Sequence, residues 1–161
     1  MTELIRAFSE PDGLEEIYGI VAVDEEDGEL GLAEPSAWEV GAPAEGEWLD
    51  AGPNGITLQP SGTGGVYVRY ELWSGPPSDP SAHTPAETWT GTVLFTTGRI
   101  SALTANAAYE DLHTVFDLGR RDAEWNVRVS RRRLGNDAEP DFPRDAGQAD
   151  LFRLQFWPAV P

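Results

Sequence analysis

Trp125-Asn126-Val127-Arg128-Val129-Ser130-Arg131-Arg132-Arg133 decides how this chain is read. Trp125, Val127 and Val129 fall on one side of an extended backbone and Asn126, Arg128 and Ser130 on the other, the two-residue period of a half-buried strand. The end of the chain repeats the pattern. Between Leu151 and Trp157, Phe152, Leu154 and Phe156 alternate with Arg153 and Gln155, and Pro158, which lacks a backbone donor, closes the ladder. Two such ribbons predict a sheet with one apolar and one solvated face.

Working outward from these ribbons, Val66, Val68, Tyr70 and Leu72 alternate with Tyr67, Arg69, Glu71 and Trp73. Trp89 to Phe95 alternates again, Gly98 turns the chain into Arg99 to Leu103, and His113 to Leu118 reads as a further strand. Ile17 to Val23 is a short apolar run of the kind a buried strand has. Asp24-Glu25-Glu26-Asp27-Gly28 follows as an acidic loop, with Glu29 to Leu32 returning as the hairpin partner. Residues 1 to 15 hold a short helix or an edge strand, ended by the turn chemistry of Pro11-Asp12-Gly13. Pro53-Asn54-Gly55 turns into a short strand from Ile56 to Gln59, and Ser61-Gly62-Thr63-Gly64-Gly65 is hairpin punctuation. Residues 33 to 53 are poorly patterned, so they are either ordered by packing or used for binding. Ser74 to Ala86, with four prolines, and Leu134 to Ala149 read as solvated loops. No long helix and no fixed-period repeat is visible. About seven to nine short strands predict an all-β fold, an antiparallel β-sandwich or a partly open barrel, forming a single domain over 1–161 with an acidic portion at 1–50.

The chain has 161 residues, no cysteine and no lysine, six tryptophans and a net charge of -17. Its length suits one core, which the aromatic residues can fill at roughly 25 cal/mol per Å² of apolar surface buried. Disulfides, thiolate metal sites and cysteine nucleophiles are excluded. The start has no basic region leading into an apolar stretch, and the longest apolar run is far short of the roughly 20 residues that span a bilayer, so a cytoplasmic bacterial protein is expected. The use of arginine alone for positive charge fits a GC-rich genome. Fifteen of the twenty-eight acids and one of the eleven basic residues lie in 1–50. Such a front repels nucleic-acid phosphates and anionic membranes and attracts basic proteins over about 8 to 10 Å. Solubility alone would also account for it.

Tests for chemistry return little. The glycine run lacks the Gly-Lys-Ser/Thr ending of a phosphate loop. Setting Gly28 at the sixth position of a helix-loop-helix calcium loop puts Val23 where the first ligand belongs, so that match fails. Of the two histidines, His83 lies in the proline-rich loop and His113 near Glu110 and Asp111, where a structural hydrogen bond is the simpler role. Arg131, Arg132 and Arg133, with Arg120, Arg121, Arg128 and Arg153, form either a patch for a phosphate or acidic partner, or a set of counter-charges for acids such as Asp117, Asp122 and Glu124. No catalytic, cofactor or metal residue is assigned, and no cofactor is expected.

Glu87-Thr88-Trp89 opening a strand, the Gly98-Arg99-Ile100 turn, Phe116-Asp117-Leu118-Gly119 leading to Trp125-Asn126-Val127-Arg128-Val129, and Leu151-Phe152-Arg153-Leu154-Gln155-Phe156-Trp157-Pro158 together resemble actinobacterial relatives of the competence protein ComJ. The resemblance covers about residues 66 to 158. It implies a small all-β fold and a non-enzymatic inhibitor acting on a partner DNA nuclease, and it carries over no residue-level site. The chain departs from the family in having Trp125 where a tyrosine is common, and in its longer acidic front.

Three functions are open on this reading. The first is an acidic protein-binding module, an intracellular inhibitor or immunity partner of a basic nuclease-like or toxin-like protein. Its contacts would be Asp24, Glu25, Glu26, Asp27 and Glu29, with Trp38 and Trp48 as anchors. The second is a carbohydrate- or small-ligand-binding β-sandwich using surface aromatics, and the third a hydrolase with paired carboxylates.

Overall fold

The computed structural model describes residues 2–62, 64–78, 87–134 and 149–159. The fold is all-β and consistent with a β-sandwich, with twelve strands among the described residues: β1 (Leu4–Ser9), β2 (Ile17–Glu26), β3 (Glu29–Leu32), β4 (Leu49–Gly52), β5 (Gly55–Leu58), β6 (Val66–Trp73), β7 (Glu87–Phe95), β8 (Arg99–Ala105), β9 (Glu110–Leu112), β10 (Phe116–Asp117), β11 (Ala123–Leu134) and β12 (Ala149–Pro158). The count exceeds the expected seven to nine because short pairings occur where alternation is too brief to read. The expected strand from His113 to Leu118 is one such place: it is replaced by β9 and β10, separated by residues 113–115.

The chain divides into two compact units. One holds residues 1–15, 60–91 and 126–158; the other holds 16–59, 92–125 and 159–161, so two of the crossings between them fall inside β7 and inside β11.

The first unit is built on a sheet of order β1-β6-β12-β11-β7. The two ribbons of clearest alternation, β11 and β12, are neighbours in it. β1 is an edge strand, paired antiparallel with β6 and bulged between Leu4 and Arg6. β12 pairs with β6 in parallel, a departure from a wholly antiparallel sheet, with Phe152 beside Val68, Leu154 beside Tyr70 and Phe156 beside Leu72. All six are buried. Across the same register Arg153 lies beside Arg69 and Gln155 beside Glu71, so the solvated face of the sequence reading is a polar network.

The second unit carries the sheet β10-β8-β2-β5-β4, with β3 added to β2 and β9 to β8. Ile20, Val21, Ala22 and Val23 of β2 are buried; the strand lies between β5 and β8 up to Val21, and Val21 and Val23 pack in one cluster with Ala37 and Leu103. Gly19 lies where the register with β8 shifts, and a Cβ there would sit 2.1 Å from the Ile56 carbonyl oxygen, so the close approach of β5 needs glycine. Residues 33–53, poorly patterned in the sequence, contain the strand β4 and a 3-10 turn, Ala37–Glu39, in which the Ser36 hydroxyl caps the Trp38 amide at 3.2 Å.

Candidate protein-binding site

Beyond Ala22 the strand β2 leaves the body of its sheet and pairs with β3, matching Val23 to Leu32, Asp24 to Gly31, Glu25 to Leu30 and Glu26 to Glu29. Asp24, Glu25 and Glu26 are therefore strand residues, a correction to the acidic loop expected there. The turn itself is Asp27-Gly28, both with positive φ (53° and 80°), as a tight hairpin of the right twist demands. Acidic residues are poor strand formers, and the ribbon holds because Val21 and Val23 anchor its base. Asp24, Glu25, Glu26, Asp27 and Glu29 are all exposed. Arg99 Nη1 lies 3.9 Å from Glu25 Oε2, an exposed pairing of little energetic weight.

On one face of this ribbon lies an open cleft of about 660 Å³. Asp24, Glu26, Asp27, Glu29, Glu34 and Asp122 line it, with Arg121 as the one basic lining residue. Its base is held by Asn54, which is fully buried with φ 64°. Asn54 Nδ2 donates to the Pro35 carbonyl (3.0 Å) and to Thr96 Oγ1 (3.0 Å), and its Oδ1 accepts from the Thr96 amide (2.8 Å). Thr96 Oγ1 in turn donates to the Glu34 carbonyl (3.2 Å), and the Asp122 amide donates to the Thr96 carbonyl (3.0 Å). The segment after β3, the β7–β8 turn and the loop before β11 are thereby tied together under the carboxylates. The sequence marked Asn54 as a turn residue and nothing more.

The opposite face of the same ribbon is apolar. Val21, Val23, Ala37 and Leu103 form a buried cluster, against which the partly buried Tyr18, Leu30, Leu32, Leu112 and Val115 pack. The Tyr18 hydroxyl donates to the Ala37 carbonyl (2.9 Å) and accepts from the Gly41 amide (3.1 Å). Burial pushes its pKa up, with the Gly41 bond acting in the other sense. The Tyr18 ring meets Trp38 at 4.3 Å between centroids, tilted by 54°. Trp38 is 41% exposed, whereas Trp48 is half-buried and its carbonyl accepts from the Gln59 amide at 2.8 Å. Of the two expected anchors, Trp38 is the better presented. Trp73, Trp89 and Trp157 are half-buried and Trp125 is buried, so a flat stacking platform of several exposed tryptophans is not formed.

The other candidates are tied into the structure. His113 Nε2 is hydrogen-bonded to Thr104 Oγ1 (2.9 Å), and its amide donates to Ser101 Oγ (2.8 Å). His83 lies outside the described residues. Among the described residues no group of three or more His, Asp and Glu side chains is placed to hold a metal ion. Arg131 pairs with Glu87, Arg133 reaches Asp150 (3.6 Å) and Arg153 reaches Glu71 (3.5 Å), so these arginines meet acids far away in the chain. Asp150, fully buried, also accepts from the Ser61 amide (2.5 Å) and hydroxyl (2.6 Å), pinning the glycine-rich turn.

Nothing local in the sequence marks Glu71 as more than one of the polar positions of β6. It is 6% exposed and accepts from Arg69 Nε, Trp73 Nε1 and Gln155 Nε2, each at 2.9 Å. Burial alone would raise its pKa; the bonds from Gln155, Arg69 and Trp73 and the charge of Arg153 outweigh it and hold the carboxyl below its ordinary value. Arg128 extends the network, donating to Gln155 Oε1 (3.0 Å) and the Pro77 carbonyl (2.6 Å) and lying 5.8 Å from the Trp157 ring centre.

No family model matches the chain, and no curated protein sequence does. Among solved structures it is similar in fold to ComJ from Bacillus subtilis, described as an inhibitor of the DNA-degrading activity of NucA. The match has a TM-score of 0.51 at 10% sequence identity and covers 99% of each chain. A likeness at this identity speaks to the fold. Among the described residues no helix is long and apolar enough to cross a membrane.

Proposed function

We propose that this chain is a non-enzymatic, acidic protein-binding module, an intracellular inhibitor or immunity partner of a basic nuclease-like or toxin-like protein. The observation that carries this reading is the β2–β3 ribbon. It presents five exposed carboxylates on a single hairpin and sets Glu26 directly opposite Glu29, an arrangement that costs stability and so needs another reason to exist. Carboxylates at that spacing can stand in for the phosphates that a nuclease binds and can steer a basic protein toward the hairpin. The fold shared with ComJ, whose partner is a nuclease, supports the same choice of partner. On this reading the 161 residues act as one domain in the cytoplasm, and the chain binds neither nucleic acid nor membrane.

The test is a low-salt affinity column carrying the whole chain, loaded with lysate of its parent cell. The retained protein is identified, purified and assayed for DNA cleavage with and without the chain. A basic nuclease, released by high salt and silenced by stoichiometric amounts of the chain, is the expected result. Retention of no DNA-degrading protein, or cleavage that the chain leaves unchanged, overturns the proposal.

A further inference from the structure

We infer that the apolar face of the acidic ribbon, not the cleft on its other side, is the centre of the protein interface, and that its occupant is a positively charged protein surface with an apolar or arginine anchor. This inference rests on the proposed function and specifies which side of the hairpin docks.

The ribbon has two chemically different sides because strand residues alternate. By their cross-strand pairing Asp24, Glu26 and Glu29 share the side that carries the cleft's carboxylates, while Val23, Leu32, Glu25 and Leu30 share the other, although Leu30 and Leu32 also border the cleft. On that second side Tyr18, Leu30, Leu32, Leu112 and Val115 surround a buried centre of Val21, Val23 and Leu103 without being fully covered themselves. Trp38 extends the plate through its contact with Tyr18, whose hydroxyl is fixed at both its donor and acceptor positions. An exposed indole already held in place loses little freedom on binding, which is what a hot spot needs.

The margin of the plate carries Glu25, Glu39 and Glu110, all exposed, against the single guanidinium of Arg99. An apolar centre ringed by charge of one sign is ordinary interface anatomy and selects a partner of the opposite sign. A second copy is a poor occupant, since two molecules of net charge -17 would bring like rims together.

The experiment titrates the whole chain with the purified nuclease recovered above, at about 0.15 M salt, where long-range steering is damped. Leu112→Ser, Val115→Ser and Trp38→Ala are compared with Asp24→Asn and Glu26→Gln, with folding checked by circular dichroism. Each plate variant weakens binding by at least about 30-fold, and Leu112→Met retains it. Each cleft variant changes affinity by less than about 5-fold and acts on the association rate. Should Leu112→Ser fail to fold, Val115→Ser and Trp38→Ala decide the matter. The reverse pattern, with cleft variants crippled and plate variants intact, overturns this inference while leaving the proposed function standing. Sedimentation showing a dimer that Trp38→Ala dissociates overturns the choice of occupant. A wild-type chain that retains no nuclease overturns the proposed function, and this inference falls with it.

Discussion

Glu26 and Glu29 face each other as the last pair of the β2–β3 hairpin, with Asp27 and Gly28 between them. Two carboxylates in that position repel, and among the described residues only β3 pairs with β2 beyond Ala22.

Relieving that repulsion should stabilise the protein while weakening what the hairpin does. Like charges directly opposite cost about 0.2 to 1 kcal/mol, so Glu29→Thr should raise the unfolding free energy by about 0.5 kcal/mol in a urea titration. The same variant should associate more slowly with the recovered nuclease at low salt. A variant that is no more stable than wild type would show that the hairpin bears no self-repulsion.

Glu71 makes the molecule sensitive to acid. Its folded pKa is held below the ordinary value of 4.5, so the unfolded chain takes up a proton first as pH falls. The stability it contributes is fully present well above pH 4.5 and is lost as pH drops through 4.5 toward the lower folded value. Glu71→Gln should cost about 2 to 3 kcal/mol at neutral pH, because Arg69 and Arg153 keep buried charge that the amide does not neutralise. It should also flatten the dependence of the urea midpoint on pH below 5. An unchanged slope would assign the acid sensitivity to other carboxylates.

Asn54 combines a left-handed backbone with a side chain that both donates and accepts. Asn54→Ala should cost about 3 kcal/mol, adding backbone strain to the loss of the bonds to Pro35 and Thr96. Asn54→Gly keeps the backbone freedom and should cost less, about 1 to 2 kcal/mol. Equal losses in the two variants would mean that the left-handed conformation contributes nothing.

The reading of residues 1–161 as one domain carries its own expectation. Two of the crossings between the compact units fall inside β7 and β11, with no linker at either point. Tryptophan fluorescence and far-ultraviolet circular dichroism should therefore report one coincident transition. Two separated midpoints would divide the chain into independently folding parts.

The sequence by itself determined the strands whose alternation is long. β6, β11 and β12 appear with nearly the expected ends because a two-residue period sustained over several residues buries one side. It also determined that Asp24 to Glu29 would lie together, since a tight turn holds neighbours in sequence close in space.

Only the tertiary structure decided what depends on residues far apart in the chain. The parallel pairing of β12 with β6 sets Gln155 beside Glu71, and an expected wet position became a buried carboxylate ringed by donors. Likewise Thr96, Arg121 and Asp122 reach the acidic cleft, and Leu112 and Val115 the apolar plate, through pairing and packing. Local patterning records which side of a strand a residue takes, whereas the neighbour on that side is chosen by long-range contacts that no short window of sequence contains.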